Sequence, residues 1–280
     1  MQKIKIVTDS TIDMRKDLIE EYDITVVPLS ITIDDKHFID GVDITPDVFI
    51  KMMDQSNELP KSSQPPAGEF LRVYEELSKD GSSIISIHMT KGLSGTVQSA
   101  QSAAQMAEAD VTVLDSMFIS KALGFQVLEA ARMAKEGSSK EQILHRIAEI
   151  RDQTRLYLSV DTLENLVKGG RIGRGKALIG SLLNIKPIAK LQDGLYTPVG
   201  KVRSQSQAVK YLAKQFAEDV KGKTVKAVGI AHADAHDFAQ RLKQAVLEIS
   251  PNCMVDISFT TPVVSTHTGP GAVGFMFFAE

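Results

Sequence analysis

The chain has 280 residues, of which 43% are hydrophobic and 24% are charged, and its formal net charge at pH 7 is -3. This length suits one large domain or two. The slightly acidic charge, without a Lys/Arg run among aromatic residues, argues against a nucleic-acid-binding protein. The single cysteine, Cys253, excludes an internal disulfide framework and a cysteine-rich metal site. No secretory signal pattern opens the sequence and no apolar run approaches ~20 residues, so we expect a cytoplasmic globular protein without an integral membrane segment.

Strand and helix patterns alternate through the first half of the sequence. Strands are predicted over "IKIVTD", "ITVVPLSITI" with a hairpin extension at "KHFID", "SIISIHM" and "VTVLDS". Helices are predicted over "TPDVFIKMMDQ", "AGEFLRVYEELSKD", "SGTVQSAQSAAQMAEA" and around residues 119–136 and 139–151. This order of elements predicts a parallel sheet covered by helices, and therefore an α/β fold.

The pattern changes after about Thr154. A strand at "RLYLSV", a short helix at "TLENLVKGG" and a hairpin around Asp193-Gly194 come first. They are followed by "QSQAVKYLAKQFAEDV" as a helix, "VKAVGIAHA" as a strand, "HDFAQRLKQAVLEI" as a helix and "CMVDISFT" as a strand. Hairpins mixed with helices predict an α+β second domain, and we place the two domains at residues 1–157 and 158–280.

The segment "MTKGLSGTVQSA" is the first candidate site. It follows a predicted buried strand and opens a helix, a position at which Ser94, Gly95 and Thr96 would offer a hydroxyl, backbone N–H groups and a helix dipole to an anion. Alternatively, Ser94 is only a helix cap. A nucleophilic Ser94 with His267 as its base is a further alternative, although the second glycine comes one position too early for a G-x-S-x-G elbow and no acidic third member is identifiable.

The segment "KGGRIGRGKA" resembles a nucleotide-binding loop only in part. Residues 170–176 match G-x-x-x-x-G-K, but Ala177 stands where Ser or Thr would hold Mg²⁺, and the segment follows a predicted helix instead of a strand. We interpret it as a solvated loop, in which Arg171, Arg174 and Lys176 form a cationic cluster that a partner could contact. The sequence predicts no metal site and no cofactor.

Six segments taken together carry a family resemblance. They are "IVTDST", "SSQPPAGEF", "GLSGTVQSA", "LDS", "LENLVKGGRI" and "THTGPGA", in this order along nearly the whole chain. The sequence resembles the DegV family of bacterial fatty-acid-binding proteins. The resemblance implies two α/β-type domains with a long-chain fatty acid buried between them. It also implies a non-catalytic carrier that presents the carboxyl group to a separate ATP-dependent fatty acid kinase subunit and then carries the acyl phosphate, with at most transient membrane contact.

The resemblance also implies a set of site residues. Ser62 matches the family's usual threonine, so the hydroxyl survives and the methyl group is lost, and His267 lies on a Gly-Pro-Gly turn near the carboxylate. Arg171 matches a family arginine to which no role is assigned. The implied carboxylate site comprises Ser62, Ser94, His267 and Arg203, beside a helix N-terminus at Gly95 and Thr96. Two alternatives to the carrier remain: a serine hydrolase using Ser94 and His267, and a module that binds a phosphorylated ligand at the Ser94 helix.

Overall fold

A parallel sheet of four strands forms the centre of the first half, in a computed structural model that describes residues 3–178 and 185–280. The strands are β1 (Ile4–Asp9), β2 (Ile24–Val27), β6 (Ser83–His88) and β7 (Val111–Asp115), in the order β2-β1-β6-β7 with every neighbouring pair parallel. All six residues of β6 are buried, as the nearly continuous apolar run of this segment predicts. The predicted parallel sheet is therefore confirmed.

Helices cover both faces of this sheet. The helices of the first half are α1 (Lys16–Glu21), α2 (Pro46–Gln55), α3 (Ala67–Leu77), α4 (Thr96–Met106), α5 (Lys121–Lys135) and α6 (Lys140–Gln153). On one face, Phe70 and Tyr74 of α3 and Ala100 and Ala103 of α4 pack against Ile84 of β6. On the other face, α5 packs against β1 and β6 and is itself covered by α6.

A small antiparallel sheet lies beside the parallel one. It contains β3 (Ser30–Ile33), β4 (Lys36–Ile39) and β5 (Lys61–Ser63), in the order β4-β3-β5. The single strand predicted over "ITVVPLSITI" is wrong, because β2 ends before Pro28 and β3 begins after it; proline has no N–H to donate to a sheet. Ser62 lies in the short strand β5, where it is paired with Ile31 and where the sequence patterns predict no strand.

The second half is built on a mixed sheet of six strands. The strands are β8 (Thr154–Ser159), β9 (Lys186–Gln192), β10 (Leu195–Val202), β11 (Val225–His232), β12 (Val255–Phe259) and β13 (Val273–Ala279), in the order β10-β9-β8-β13-β11-β12. Only β11 and β12 pair in parallel. The helices α8 (Gln205–Asp219) and α9 (His236–Ile249) cover one face. The hairpin predicted at Asp193-Gly194 is confirmed, with both residues at positive φ.

The two units meet across α5. This helix lies between the sheets, because besides β1 and β6 it contacts β8, β11 and β13. Its first residue, Lys121, is only 4% exposed and donates to Asp256 of β12 at 2.6 Å. Tyr157, with which our predicted first domain ends, lies inside β8, a strand of the six-stranded sheet. In the described part of the chain no helix is both long enough and apolar enough to cross a membrane.

The last two elements, α10 (Pro262–Thr268) and β13, were missed by the sequence patterns. His267 was expected on a tight turn, but it lies in the last turn of α10, and the turn begins only at Gly269, whose φ is +74°. Both ends of α10 contact the first unit. At its N-terminus, Asp13 accepts from the Thr261 N–H at 2.8 Å and Asp40 accepts from the Val263 N–H at 3.2 Å. Buried carboxylates of the first unit therefore position a helix of the second.

Candidate functional site

A cavity of about 310 Å³ lies between the two units. Its body is apolar and its polar groups gather at one end, which we call the polar end. The first unit contributes Leu29, Ser62, Ser63, Gln64, Met89, Leu93, Ser94 and Ile119, and the second contributes Leu166, Arg171, Tyr196, Val263, Val264, His267 and Thr268. A volume near 300 Å³ and a mostly apolar lining with a few convergent polar groups are typical of small-molecule sites.

Ser62 and His267 meet at the polar end. The Ser62 Oγ and the His267 Nε2 lie 2.7 Å apart, which is a hydrogen bond between residues 205 positions apart in sequence. Ser62 comes from β5 of the first unit and His267 from α10 of the second. This bond therefore crosses the boundary between the units at the place where the cavity is polar.

The ring of His267 is held in its neutral form. Burial and, to a lesser degree, the nearby Arg171 guanidinium together lower its pKa from 6.5 to about 4, because both disfavour a positive charge on the ring. Its Nδ1 is buried and makes no hydrogen bond to any described residue. On that side the ring lies against Gly169, where a Cβ atom would overlap Nδ1 and would come within 2.9 Å of the Asn165 carbonyl. The absence of a side chain at Gly169 therefore leaves the space that the His267 ring occupies.

Ser94 is the second hydroxyl at the polar end. It lies two residues before α4, and its Oγ is 2.9 Å from the Thr96 Oγ1 and accepts from the Thr96 N–H at 3.3 Å. Ser94 therefore partly satisfies the start of α4 and also lines the cavity, which combines the cap and the binding interpretations.

The helix N-terminus itself is covered. Gly95 is the N-cap residue of α4, but the Gln64 amide packs so closely on it that a Cβ there would overlap the Gln64 side chain. Gln64 also donates to the Ser99 Oγ at 2.9 Å, and Thr96 is completely buried. Gly95 and Thr96 do not line the cavity, and this arrangement disfavours a phosphate docked on the backbone N–H groups. Gln64 was not among the predicted site residues, although it stands two residues after Ser62.

Arg171 brings a positive charge to the polar end. Its Nε donates to the Leu93 carbonyl at 3.1 Å and its Nη1 to the Gly169 carbonyl at 2.6 Å. These two bonds join the loop before α4 to the end of α7 (Glu164–Lys168), and they leave Nη2 without a partner among the described residues. The sequence had assigned no role to this arginine; the structure places it in the cavity lining.

Arg203 lies elsewhere. It is exposed, follows the outermost strand β10 and does not line the cavity. Its backbone N–H donates to the Gln207 side chain at 2.8 Å, beside the Ser204 cap of α8. The structure therefore does not bring Arg203 to Ser62 and His267.

The segment "KGGRIGRGKA" does not have the geometry of a phosphate-binding loop. It follows α7 instead of a strand, and residues Gly173–Leu178 form a 3-10 turn. The side chain of Lys176 lies outside the described residues. Of the predicted cationic cluster, Arg171 turns into the cavity, whereas Arg174 is exposed and pairs with Asp193 at 3.2 Å. The arginines of this segment thus do not act as one group.

The geometry disfavours a hydrolase. His267 bonds to Ser62 and not to Ser94, and no carboxylate contacts its Nδ1 within the described part of the chain. A ring with a pKa near 4 is also a weak general base at neutral pH. A second array of the same residue types, Asp9, His88 and Ser86, is completely buried between the sheet and Phe70, where no substrate reaches it.

Comparisons with known proteins agree with one another. A family model described as an uncharacterised protein of the DegV family matches residues 3–280. A DegV domain-containing protein of Staphylococcus aureus strain N315 is 44% identical over 276 residues, with 99% of each chain covered. Among solved structures, a fatty-acid-binding DegV family protein of Thermus thermophilus superposes with a TM-score of 0.95, at 33% identity over 100% of both chains. DegV of Bacillus subtilis, a fatty acid binding protein, gives a TM-score of 0.90 at 33% identity, covering 99% of this chain and 100% of its own.

Proposed function

Because this chain belongs to the DegV family, we propose that it binds a long-chain fatty acid in the cavity between its two units, with the carboxylate at the polar end. The observation that carries the proposal is the Ser62–His267 hydrogen bond, which closes the polar end of an otherwise apolar cavity. The Thermus thermophilus and Bacillus subtilis relatives, which share this fold, are fatty-acid-binding proteins.

The polar end offers what a carboxylate needs on leaving water. An unpaired buried carboxylate is costly, so it requires hydrogen-bond donors or a cation. The hydroxyls of Ser62 and Ser94 supply neutral donors, and the Nη2 of Arg171, which has no partner within residues 3–178 and 185–280, supplies a charged one. Arg203 is not part of this proposed set, because it lies away from the cavity.

The apolar body of the cavity supplies the affinity. Each methylene group that leaves water contributes ~0.8 kcal/mol, so a long acyl chain binds tightly without a covalent bond. The lining groups along this path are Leu29, Met89, Leu93, Ile119, Val263 and Val264. Polar recognition at one end and apolar burial along the rest match a ligand with one charged group and a long hydrocarbon chain.

We propose further that the protein is a carrier, which presents the bound carboxylate to a separate ATP-dependent kinase and holds the acyl phosphate product. Ser63 and Gln64, at the polar end, are exposed, so the reactive group of the ligand lies near the surface while the chain is buried. Purified protein, a bacterial fatty acid kinase, ATP and fatty acid should together form acyl phosphate, and omitting the protein should abolish it. Equal product without the protein would contradict the carrier role.

Replacement of Ser94 by alanine tests the site. Losing a hydrogen bond to a charged group costs about 1.5–3 kcal/mol, which corresponds to about 10- to 100-fold weaker fatty acid binding. Ser250→Ala is the matched control, since Ser250 ends α9 far along the chain and does not line the cavity. Affinity is measured by displacement of a fluorescent fatty acid, and mass spectrometry identifies any co-purified lipid.

The outcomes separate the site from the function. If wild-type protein neither co-purifies with nor binds a fatty acid, the proposed function is wrong. If wild-type protein binds and Ser94→Ala binds equally well, Ser94 does not contact the carboxylate. A covalent adduct of Ser94 with a fluorophosphonate would instead favour the hydrolase.

A further inference from the structure

A small inner chamber of about 20 Å³ lies next to the cavity. Beyond the residues that it shares with the cavity, most of its lining is apolar and comes from the six-stranded sheet and from the loop before β13: Leu156, Leu158, Ala231, Ala272, Gly274 and Met276. Two polar residues, Ser120 before α5 and Thr260 after β12, complete it. Four residues line both spaces, namely Ile119, Tyr196, Val264 and Thr268. These shared side chains therefore stand between the cavity of about 310 Å³ and the much smaller chamber.

Tyr196 is the largest of the four. It lies on β10, opposite Leu191 of β9, and only 5% of it is exposed. Ile119 comes from the other unit, before α5, so the separation between the two spaces is made where the units meet. A bulky ring at this point limits how far a chain that enters from the polar end can extend.

The side chain of Tyr196 is buried and borders both spaces. Burial raises the pKa of Tyr196 well above its usual range, and the Asp13 carboxylate raises it further, so the hydroxyl stays neutral.

We propose that Tyr196 determines the acyl chain length that the protein accepts, by ending the main cavity with its ring and closing off the inner chamber. This inference rests on the proposed fatty acid binding. In this arrangement the methyl end of the chain would lie against the ring. A smaller residue at position 196 would join the two spaces and admit a longer chain.

The test uses full-length protein and a series of saturated straight-chain fatty acids whose chain length increases in equal steps. Tyr196→Ala should shift the best-bound acid toward longer chains, with about fourfold tighter binding for each further methylene that reaches the inner chamber. Tyr196→Phe keeps the ring and should keep the wild-type length profile. Tyr211→Ala is the control, because Tyr211 lies on α8 and lines neither space. Tyr196→Leu gives a second opening variant, and urea unfolding identifies any variant that fails to fold.

Each result decides a different point. A Tyr196→Ala or Tyr196→Leu profile identical with wild type overturns the proposal while leaving fatty acid binding intact. A shift in Tyr196→Phe as large as that in Tyr196→Ala also overturns it, because the hydroxyl and not the ring would then set the length. Wild-type protein that binds none of the acids would contradict the proposed function itself.

Discussion

Replacement of His267 by glutamine should change how stability depends on pH. The folded-state pKa of His267 is lowered from 6.5 to about 4, mainly by burial. Above pH 6.5 the ring is neutral in both states and the lowered pKa has no effect. As the pH falls from 6.5 to about 4, the unfolded chain binds a proton that the folded protein resists, so the folded protein loses stability. At ~1.4 kcal/mol per pKa unit, wild-type protein should lose about 3 kcal/mol relative to His267→Gln.

Urea unfolding at a series of pH values measures this difference directly. Glutamine retains a polar group that can bond to Ser62 but cannot titrate, so the comparison isolates the ring. His145→Gln is the matched control, because His145 is an exposed residue of α6. The titration of all other groups contributes equally to the free energy of unfolding of the three proteins, so it cancels in the comparison. Parallel stability curves for wild type and His267→Gln would refute the buried, neutral ring.

A bound fatty acid should reverse part of this effect. A carboxylate beside the ring favours the imidazolium and raises its pKa, whereas desolvation opposes the change; we expect the charge to dominate in an apolar cavity. NMR titration of the His267 ring with and without fatty acid measures the difference. His267→Ala should bind the acid less well than His267→Gln, because it offers no hydrogen bond. Identical ring titrations in the two states would mean that His267 does not sense the carboxylate.

Two further substitutions test the surroundings of the site. Gly169→Ala should destabilise the fold by about 1–3 kcal/mol and weaken fatty acid binding, because the new Cβ overlaps the His267 ring. Gly68→Ala is the control and should do neither, because the space around Gly68 is open. Equal unfolding curves for the two variants would contradict this prediction. Burial raises the pKa of Asp40 from 3.8 to about 7, so wild-type protein loses stability as the pH rises through that range. Asp40→Asn cannot ionise, so its free energy of unfolding should rise by about 4 kcal/mol relative to wild type between about pH 4 and a pH above 7. Urea midpoints at low and high pH measure this difference, and a difference that stays constant with pH would be the contrary result.

The sequence predicts the sheets better than it predicts the last helix. Buried strands such as β6 show in an unbroken apolar run, and their order with helices determines a parallel sheet. In α10, the β-branched residues Val263, Val264 and Thr266 have low helix propensity, and this hid the helix. Its boundary signals were present, with Pro262 at the first helical position and Gly269 after the last. Contacts from Asp13 and Asp40, which no local pattern shows, complete it.

The candidate site was predictable as a set of residues but not as a geometry. The family motifs identify Ser62, Ser94 and His267, and the structure brings all three to one cavity. They do not show that His267 bonds to Ser62, or that Ser94 bonds to Thr96, because those pairings depend on how α10 and α4 are placed. The family resemblance also puts Arg203 at the site, whereas in the structure this residue follows β10 and does not line the cavity.

The placement of α10 links the two units to the ligand. Asp13 and Asp40 of the first unit hold the N-terminal end of α10, and Ser62 of the same unit holds His267 near its C-terminal end. Any separation of the units would break these bonds and the cavity together. A ligand that contacts both units binds the closed arrangement better than an open one, and it must therefore stabilise closure by the same free energy. The proposed fatty acid binding would therefore be coupled to the packing of the two units, and α10 is the element through which the proposed headgroup site depends on the first unit.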